Sequence, residues 1–414
     1  MLHIAKKVNR LQREELRSVK NQFHQELRDN ILRFWTGHAV DVENGGFHGY
    51  ITNDLKVTKN APKASVLNAR ILWTYSTAYR IFKTDEYLTM AKRAYDYLAD
   101  HFIDPEYSGV YWMLDYKGKP IDSKKQIYAI AFAIYGLAEY FQATGDQQSL
   151  EKAIGLYQAI EEHSYDPENQ GYFEALSRDW GLLADMSLSP KDLNVKKSMN
   201  THLHILEAYT QLLRVWKDEA LAGKLRELIR ITMDRILNRK KDRFQLFFDE
   251  CWHSQADIVS FGHDIEGSWL LYEAAEVLGD PAVLAEVKPI ALRMAENVLE
   301  HGIDTQDGGL FYEAEGGRFT DTNKDWWPQA EAVVGFCNAY QLSGEECFLD
   351  ASFAVWDFIK RRIVDKQYGE WFWGVSKDGK VQDGREKVGP WKCPYHNSRM
   401  CFEMMQRLDE IRGG

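Results

Sequence analysis

The chain has 414 residues and a globular composition, with 45% hydrophobic and 27% charged residues. Its net charge of −11 argues against nucleic acid and against an anionic membrane surface as partners, because both attract clustered basic side chains. No stretch reaches the roughly 18 continuous apolar residues that cross a bilayer, and the first residues lack the apolar core of a secretory signal. The five cysteines are scattered, without a Cys-x-x-Cys pair, so we expect a reduced cytoplasmic protein.

A phrase made of an aspartate, a glycine-containing turn and aromatic residues recurs along the chain. Its clear copies begin at Asp41, Asp104, Asp166, Asp304 and Asp365. The steps between copies are 63, 62 and 61 residues, with one gap of 138 that a degenerate copy around Asp242 divides. The excess of 14 residues falls in the polar stretch after Glu174. Six copies of one unit indicate a repeat architecture.

Two amphipathic segments separate consecutive copies, each with apolar residues at the i, i+3, i+4 and i+7 spacing of a helix. A first helix is predicted over about Leu11 to Trp35, and five pairs follow it, beginning with SVLNARILW, YAIAFAIYG, NTHLHILEAY, DIEGSWLLYE and PQAEAVVGF. The segment HNSRMCFEMMQRLDEI completes twelve helices. The first member of each pair is the more apolar, as expected for helices buried all round, and the second carries regular charges. The sequence therefore predicts an all-α fold, a single (α/α)6 barrel domain over residues 1–414 with short β-hairpins between helix pairs, rather than an open helical array.

Polar side chains occupy the first turns of the predicted inner helices, where core residues are expected. They are Asn68, Arg70, Tyr128, Asn200, His204, His263, Glu266, Trp326, Glu331, His396 and Asn397. If the inner helices run parallel, their first turns meet at one mouth of the barrel. Each residue has a structural alternative, as a satisfied core group or a partner of the helix dipole. The case for a site rests on their recurrence at corresponding places.

Three kinds of chemistry are possible for a site formed by these residues: metal binding, glycoside hydrolysis and proton transfer at carbon. No metal is expected, because His202 and His204 point about 200° apart on a helix, and His263 with Glu266 lacks a third ligand at a recognisable spacing. Glycoside hydrolysis needs two carboxylates, such as Glu266 and Glu331, but it does not need three histidines. Proton transfer at carbon fits better, since histidine titrates near neutral pH and two histidines can act on opposite faces of one carbon.

Five segments resemble the cellobiose 2-epimerases of the N-acylglucosamine 2-epimerase superfamily. They are LNARILW (67–73), SMNTHLHILEAY (198–209), SFGHDIEGSWLL (260–271), DWWPQAEAVVGFCNAY (325–340) and WKCPYHNSRM (391–400). The likeness runs in order from about residue 15 to residue 412. It implies an (α/α)6 barrel that needs no cofactor and epimerises C2 of the reducing-end sugar of a β-1,4-linked disaccharide. The implied route is ring opening, removal of the C2 proton and a cis-enediolate.

The same resemblance implies roles for ten side chains. His263 and His396 would be the base and the acid, exchanging roles with direction, and His204 would assist ring opening or stabilise the enediolate. Arg70 would hold a substrate oxygen, and Glu266 would orient and charge-tune His263. The sugar subsites would be lined by Tyr128, Asp192, Asn200, Trp326 and Trp391. The expected partner is a small-molecule sugar, and a monomer is favoured over an oligomer.

The chain departs from the pattern of the family in two places. Where relatives often read His-Val-Tyr-x-Gln, this chain has Gln126 and Ile130 at the two ends, and Asp257 stands where a basic residue is common. Both changes bear on the sugar contacts. A mannose or N-acylglucosamine 2-epimerase and an aldose–ketose isomerase are therefore alternatives with the same chemistry. A glycoside hydrolase and an inactive sugar-binding barrel are alternatives of a different class.

Overall fold

A computed structural model describes residues 10–413, in which twelve helices alternate along the chain between an outer and an inner ring. The outer helices are α1 (Arg10–Gln25, continued by Glu26–Leu32 and Arg33–His38), α3 (Asp85–Tyr97, continued by Leu98–Phe102), α5 (Gln147–His163), α7 (Glu219–Ile231, continued by Thr232–Ile236), α9 (Pro281–His301) and α11 (Glu346–Phe358, continued by Ile359–Ile363). The inner helices are α2 (Ser65–Phe82), α4 (Ile127–Thr144), α6 (Met199–Val215), α8 (Phe261–Leu278), α10 (Trp326–Ser343) and α12 (Tyr395–Gly413).

The inner helices form a closed ring. Each one packs against the next inner helix, and α12 packs back against α2, which distinguishes a barrel from an open array. Inner helices are buried nearly all round, whereas an outer helix such as α7 buries one stripe with Leu221, Leu225 and Leu228. The predicted all-α (α/α)6 barrel is confirmed. The prediction of one domain over 1–414 stays a prediction, and its two ends, residues 1–9 and 414, lie outside the described residues.

Sixteen short strands connect the helix pairs within residues 10–413. They are β1 (Ile51–Thr52), β2 (Lys63–Ala64), β3 (Met113–Leu114), β4 (Pro120–Asp122), β5 (Lys125–Gln126), β6 (Ala175–Leu176), β7 (Lys197–Ser198), β8 (Leu237–Asn238), β9 (Arg243–Phe244), β10 (Phe247–Phe248), β11 (Ile258–Ser260), β12 (Glu313–Glu315), β13 (Arg318–Asp321), β14 (Lys324–Asp325), β15 (Gly374–Val375) and β16 (Glu386–Val388). The strand before each inner helix pairs antiparallel with a strand of another connection: β2 with β3, β5 with β6, β7 with β10, β11 with β12, β14 with β15, and β16 with β1. The last pair sets Val388 opposite Ile51, so backbone hydrogen bonds close this rim of the barrel.

Buried ion pairs anchor five of the six repeated turns. The first aspartate of the phrase accepts from a lysine in the strand that precedes the next inner helix, in the pairs Asp41–Lys63 (2.9 Å), Asp104–Lys125 (2.9 Å), Asp166–Lys197 (2.7 Å), Asp304–Lys324 (2.7 Å) and Asp365–Lys387. The degenerate copy differs, because Asp242 pairs nearer the surface with Arg293. The repeated aspartates therefore belong to the scaffold that sets where each inner helix begins. Within residues 10–413 no helix is both long and apolar enough to span a membrane.

Candidate active site

A cavity of about 540 Å³ lies where the inner helices begin. All ten side chains to which the sequence analysis gave a catalytic or sugar-binding role line it: Arg70, Tyr128, Asp192, Asn200, His204, His263, Glu266, Trp326, Trp391 and His396. Three other residues of the first turns, Asn68, Glu331 and Asn397, do not line it. Asn68 donates to the Ala64 carbonyl, and Asn397 donates to Glu370, so both have structural partners. The structure thus brings the expected residues together, and their roles stay predictions.

His396 is paired with a carboxylate from the neighbouring inner helix. Its Nδ1 lies 2.7 Å from Oε1 of Glu331, and the imidazole is 5% exposed. An ionised carboxylate only accepts hydrogen bonds, so it holds a proton on Nδ1 and leaves Nε2 as the free nitrogen of the neutral ring. Burial, and then the charges of Arg70 and Arg399, hold the pKa of His396 well below its ordinary value.

His204 has the same kind of partner on its own helix. Its Nδ1 lies 2.9 Å from Oε2 of Glu207, one turn further along α6. Burial alone would raise the pKa of Glu207, but Arg399 and the bond from His204 lower it to about 2. Glu207 was not among the residues predicted from the sequence. The signal was present, because His204 and Glu207 have the i, i+3 spacing that singled out His263 and Glu266.

Arg399 holds the carboxylates at the centre of the barrel together. Its guanidinium donates to Glu207, to Glu266 at 2.6 Å and to Glu331 at 2.7 Å. Glu266, Glu331 and His396 are close enough together to suggest a metal site. The guanidinium lies between the two carboxylates, however, so this donor set does not fit a cation. Arg399 was missed from the sequence, where it is one turn after His396.

The partner of His263 differs from the one expected. Its Nδ1 lies 2.8 Å from the hydroxyl of Ser260, and burial followed by the nearby His204 lowers the pKa of His263 to about 3. Glu266 bonds Arg399 instead and lies 3.9 Å from Nδ1 of His396. The expectation that Glu266 orients His263 is therefore wrong. A guanidinium attracts a carboxylate more strongly than a neutral imidazole does.

Trp327 lies beside both histidines, although the sequence analysis named only its neighbour Trp326. The indole ring centre is 4.7 Å from the ring centre of His263 and 5.6 Å from that of His396. Gly262 makes this approach possible, since a Cβ atom there would lie 2.6 Å from the indole. The sequence feature that could have indicated this contact is Gly262, a glycine in the first turn of α8 directly before His263.

Several polar atoms at the cavity have no protein partner within the described residues. They include Nε of Arg70, Oδ1 of Asn200 and Nε1 of Trp326. Arg70 is otherwise held in place, because it donates to the Tyr128 hydroxyl at 2.7 Å and its guanidinium lies 4.2 Å from the centre of the Phe132 ring. Buried polar groups of this kind are normally satisfied, and the described protein groups supply no partner for these atoms.

The 14-residue excess after Glu174 forms one wall of the cavity, over residues 186–193 and 195. Gln126 holds this loop, donating to the carbonyls of Ser187 at 2.8 Å and Met186 at 3.3 Å. Asn194 accepts from the Met186 amide within the loop. Gln126 therefore acts on the wall of the cavity and is not itself among the residues that line it.

Asp257 lies outside the cavity wall. Its carboxylate, about half exposed, pairs with Lys241 at 3.0 Å and Arg243 at 2.5 Å. The expectation that Asp257 alters the sugar contacts is therefore wrong. Asp257 directly precedes β11 and is exposed to solvent, whereas Ile258 and Ser260 of that strand line the cavity.

The sequence model of the N-acylglucosamine 2-epimerases matches residues 45–398. This chain belongs to the N-acylglucosamine 2-epimerase family. It is 50% identical over 388 residues to the cellobiose 2-epimerase of Bacteroides fragilis, covering 94% of this chain and 98% of that one. It is 43% identical to a cellobiose 2-epimerase of Ruminococcus albus, covering 94% and 99%. A solved sugar epimerase from a ruminal bacterium superposes with a TM-score of 0.90 at 42% identity, covering 94% and 99%. The family resemblance of the five segments is confirmed.

Proposed function

We propose that this chain epimerises C2 of the reducing-end sugar in β-1,4-linked disaccharides, converting cellobiose to glucosyl-mannose and back. The observation that carries the proposal is the pair His263 and His396, two imidazoles that pack beside Trp327 in one cavity. Two proton-transfer groups beside one binding position are what inversion at a carbon needs. The relatives named cellobiose 2-epimerase, at 50% and 43% identity, support the choice of substrate.

The proposed reaction begins with opening of the sugar ring, assisted by His204 with Glu207 behind it. In the open-chain aldehyde, one neutral histidine takes the C2 proton and becomes an imidazolium. The electrons move into the C1 carbonyl and give a cis-enediolate, whose negative oxygen the Arg70 guanidinium stabilises. After rotation about the C2–C3 bond, the other histidine, as imidazolium, returns a proton to the opposite face of C2. His263 and His396 exchange these roles when the direction is reversed.

His396 becomes an imidazolium when it carries the C2 proton, a state that burial and the charges of Arg70 and Arg399 oppose. The three carboxyl groups of Glu207, Glu266 and Glu331 all accept from Arg399 in this region. The Glu331 carboxylate, 2.7 Å from Nδ1 of His396, is the partner that stabilises the imidazolium. Burial and then Glu331 raise the pKa of Glu266 to about 7, which shows how costly a further unbalanced carboxylate is there.

The part of the cavity formed by the loop and by β14 provides for a second sugar unit. Asp192 and Glu313 line it, together with Asp325 and Trp373. The Trp373 indole donates to Asp325 at 2.8 Å, and burial raises the pKa of Asp325 to about 6. Carboxyl groups and flat indoles are the side chains that bind sugar hydroxyls and sugar faces. These residues favour a disaccharide over a monosaccharide.

The two carboxylates considered for glycoside hydrolysis are not placed for that reaction. Glu266 and Glu331 bond the same nitrogen of Arg399, and Glu331 does not line the cavity. A hydrolase needs an acid and a second carboxylate on either side of the bond that is cleaved.

The cytoplasmic location and the monomeric state expected from the sequence stay predictions.

Product analysis separates the proposal from its alternatives. The protein is incubated with cellobiose, and separately with mannose, and the products are followed by proton NMR. A new mannose-type anomeric signal from cellobiose supports the proposal. A ketose signal would instead indicate an isomerase, released glucose a hydrolase, and turnover of mannose alone a monosaccharide 2-epimerase. No change in either sugar would contradict an enzymatic role on these substrates.

A further inference from the structure

Ser260 precedes helix α8 but does not cap it. A serine in this position normally accepts from a backbone N–H two or three residues on. Ser198 does so before α6, where its hydroxyl accepts from the Thr201 amide at 3.1 Å. The Ser260 hydroxyl forms no such bond and lies 2.8 Å from Nδ1 of His263. The Ser260 hydroxyl therefore bonds the imidazole of His263 and not the backbone of the helix.

The backbone around this hydroxyl is fixed on both sides. Ser260 ends strand β11, where it pairs with Glu313 of β12, and α8 begins at the next residue. The side chain is 3% exposed. A hydroxyl held this firmly determines the orientation of the imidazole that bonds it. Since Nδ1 of His263 is engaged, Nε2 is the nitrogen left for a ligand in the cavity.

The hydroxyl also differs in kind from the partners of the other two histidines. Glu207 and Glu331 are carboxylates, which as anions only accept hydrogen bonds. A hydroxyl both donates and accepts. It accepts from Nδ1–H in the imidazolium and in one neutral tautomer of His263, and it donates to bare Nδ1 in the other tautomer. The contact therefore survives when the ring takes up or releases a proton at Nε2.

We propose that Ser260 is a positioning residue for His263, holding Nε2 toward the reacting carbon in every protonation state that the reaction passes through. This inference rests on the proposed C2 epimerisation and adds a residue that acts through His263. The hydroxyl sets the orientation of the ring without adding a charge.

Steady-state kinetics with cellobiose test the role. Ser260→Ala is expected to lower kcat by roughly 10- to 100-fold, the effect of a misplaced reacting group, with KM within about 3-fold of wild type. Ser260→Thr keeps the hydroxyl and is expected to restore most of kcat. An unchanged kcat in Ser260→Ala would overturn the inference. So would a loss confined to KM, which would make Ser260 a sugar contact.

A control variant and a spectroscopic readout separate positioning from the general effect of removing a polar side chain just before a helix. Asp218 caps the outer helix α7 by accepting from the Leu221 amide at 2.9 Å, and Asp218→Ala is expected to leave kcat unchanged. In protein labelled with ¹⁵N-histidine, the Nδ1 signal of His263, assigned by its loss in His263→Asn, should shift in Ser260→Ala and not in Asp218→Ala. If wild type turns over cellobiose and this signal does not shift, the present inference fails. If the signal shifts and wild type has no activity on cellobiose, the proposed function fails.

Discussion

One carboxylate oxygen of Glu331 bonds both Nδ1 of His396 and the guanidinium of Arg399, each at 2.7 Å. The carboxylate belongs to α10, whereas the imidazole and the guanidinium belong to α12. The orientation of a proposed catalytic histidine therefore depends on the packing of two neighbouring inner helices. The negative charge of Glu331 also stabilises the imidazolium form of His396.

Glu331→Gln is expected to lower kcat roughly 100-fold, the lower end of what an acid/base group contributes, with a small effect on KM. The amide keeps the shape of the side chain and removes the charge that stabilises the imidazolium. Glu139→Gln is the matched control, because Glu139 is equally buried and bonds Arg80 on the inner helices, away from the cavity. Steady-state kinetics of both variants check the prediction, and an equal loss of kcat in both would contradict it.

His202 is expected to stabilise the fold without taking part in the reaction. Its Nδ1 donates to the Ser198 carbonyl at 2.7 Å, its Nε2 accepts from the Tyr172 amide at 2.9 Å, and burial lowers the pKa of His202 to about 3. A His202→Asn variant should keep the wild-type KM, with kcat close to wild type where it folds. The variant should also be less stable than wild type at pH 7.5.

The stability difference should depend on pH with a definite sign. Unfolded His202 takes up a proton below about pH 6.5, whereas the folded residue stays neutral until about pH 3. Its contribution is therefore complete above pH 6.5 and is lost as the pH falls toward 3. At pH 5 the difference in unfolding free energy between wild type and His202→Asn should be smaller by about 2 kcal/mol than at pH 7.5. Urea denaturation at the two pH values measures it, and a constant difference would show that His202 is not held neutral.

Gln126→Ala is expected to raise KM for cellobiose several-fold and to change kcat little. The variant loses the bonds that hold the loop at residues 186–187, and this loop lines the cavity. Ordering a loop on binding reduces affinity. Gln341→Ala serves as control, because Gln341 bonds Arg407 and Glu410 away from the cavity. Initial-rate kinetics of both variants with cellobiose measure KM. An unchanged KM in Gln126→Ala would mean that the loop is held in place without this residue.

Gly262→Ala is expected to impair kcat strongly, because the added methyl group would lie 2.6 Å from the indole of Trp327 and displace it from the two histidines. Gly223→Ala on α7 is the matched control, since open space surrounds that position. The control should keep wild-type kinetics and gain about 0.5–1 kcal/mol of stability from helix propensity. Kinetics and thermal unfolding of both variants test the contrast, and normal kcat in Gly262→Ala would contradict it.

The barrel was predictable because its signals are local. The 3.6-residue periodicity of each helix and the repeated aspartate turn depend on neighbours in sequence. Polar residues in the first turns of the six inner helices could also be recognised from their positions in the sequence. A cavity at the common end of these helices follows if the helices are parallel. The aspartates of the repeat turned out to be ion-paired scaffold, with Asp41 and Lys63 as one example.

The contacts across the barrel were not predictable from spacing. Which carboxylate Arg399 reaches depends on the rotation of each inner helix about its own axis, and no local pattern reports that rotation. The same limit explains the wrong prediction for Glu266. Its i, i+3 spacing allows a contact with His263, but its carboxylate bonds the guanidinium of Arg399 instead. Asp257 was misjudged because the strand that lines the cavity begins one residue later, at Ile258, and Asp257 pairs instead with Lys241 and Arg243.

Deuterium exchange at C2 tests the two-histidine reaction most directly. With cellobiose in D2O, wild type is expected to form glucosyl-mannose carrying deuterium at C2 of the reducing-end sugar, because the returned proton comes from a different group than the one that took it. His263→Asn and His396→Asn should form no detectable product, while His202→Asn should form it with full labelling. A mannose-type product that keeps the original C2 hydrogen, or full turnover in either of the first two variants, would contradict the account.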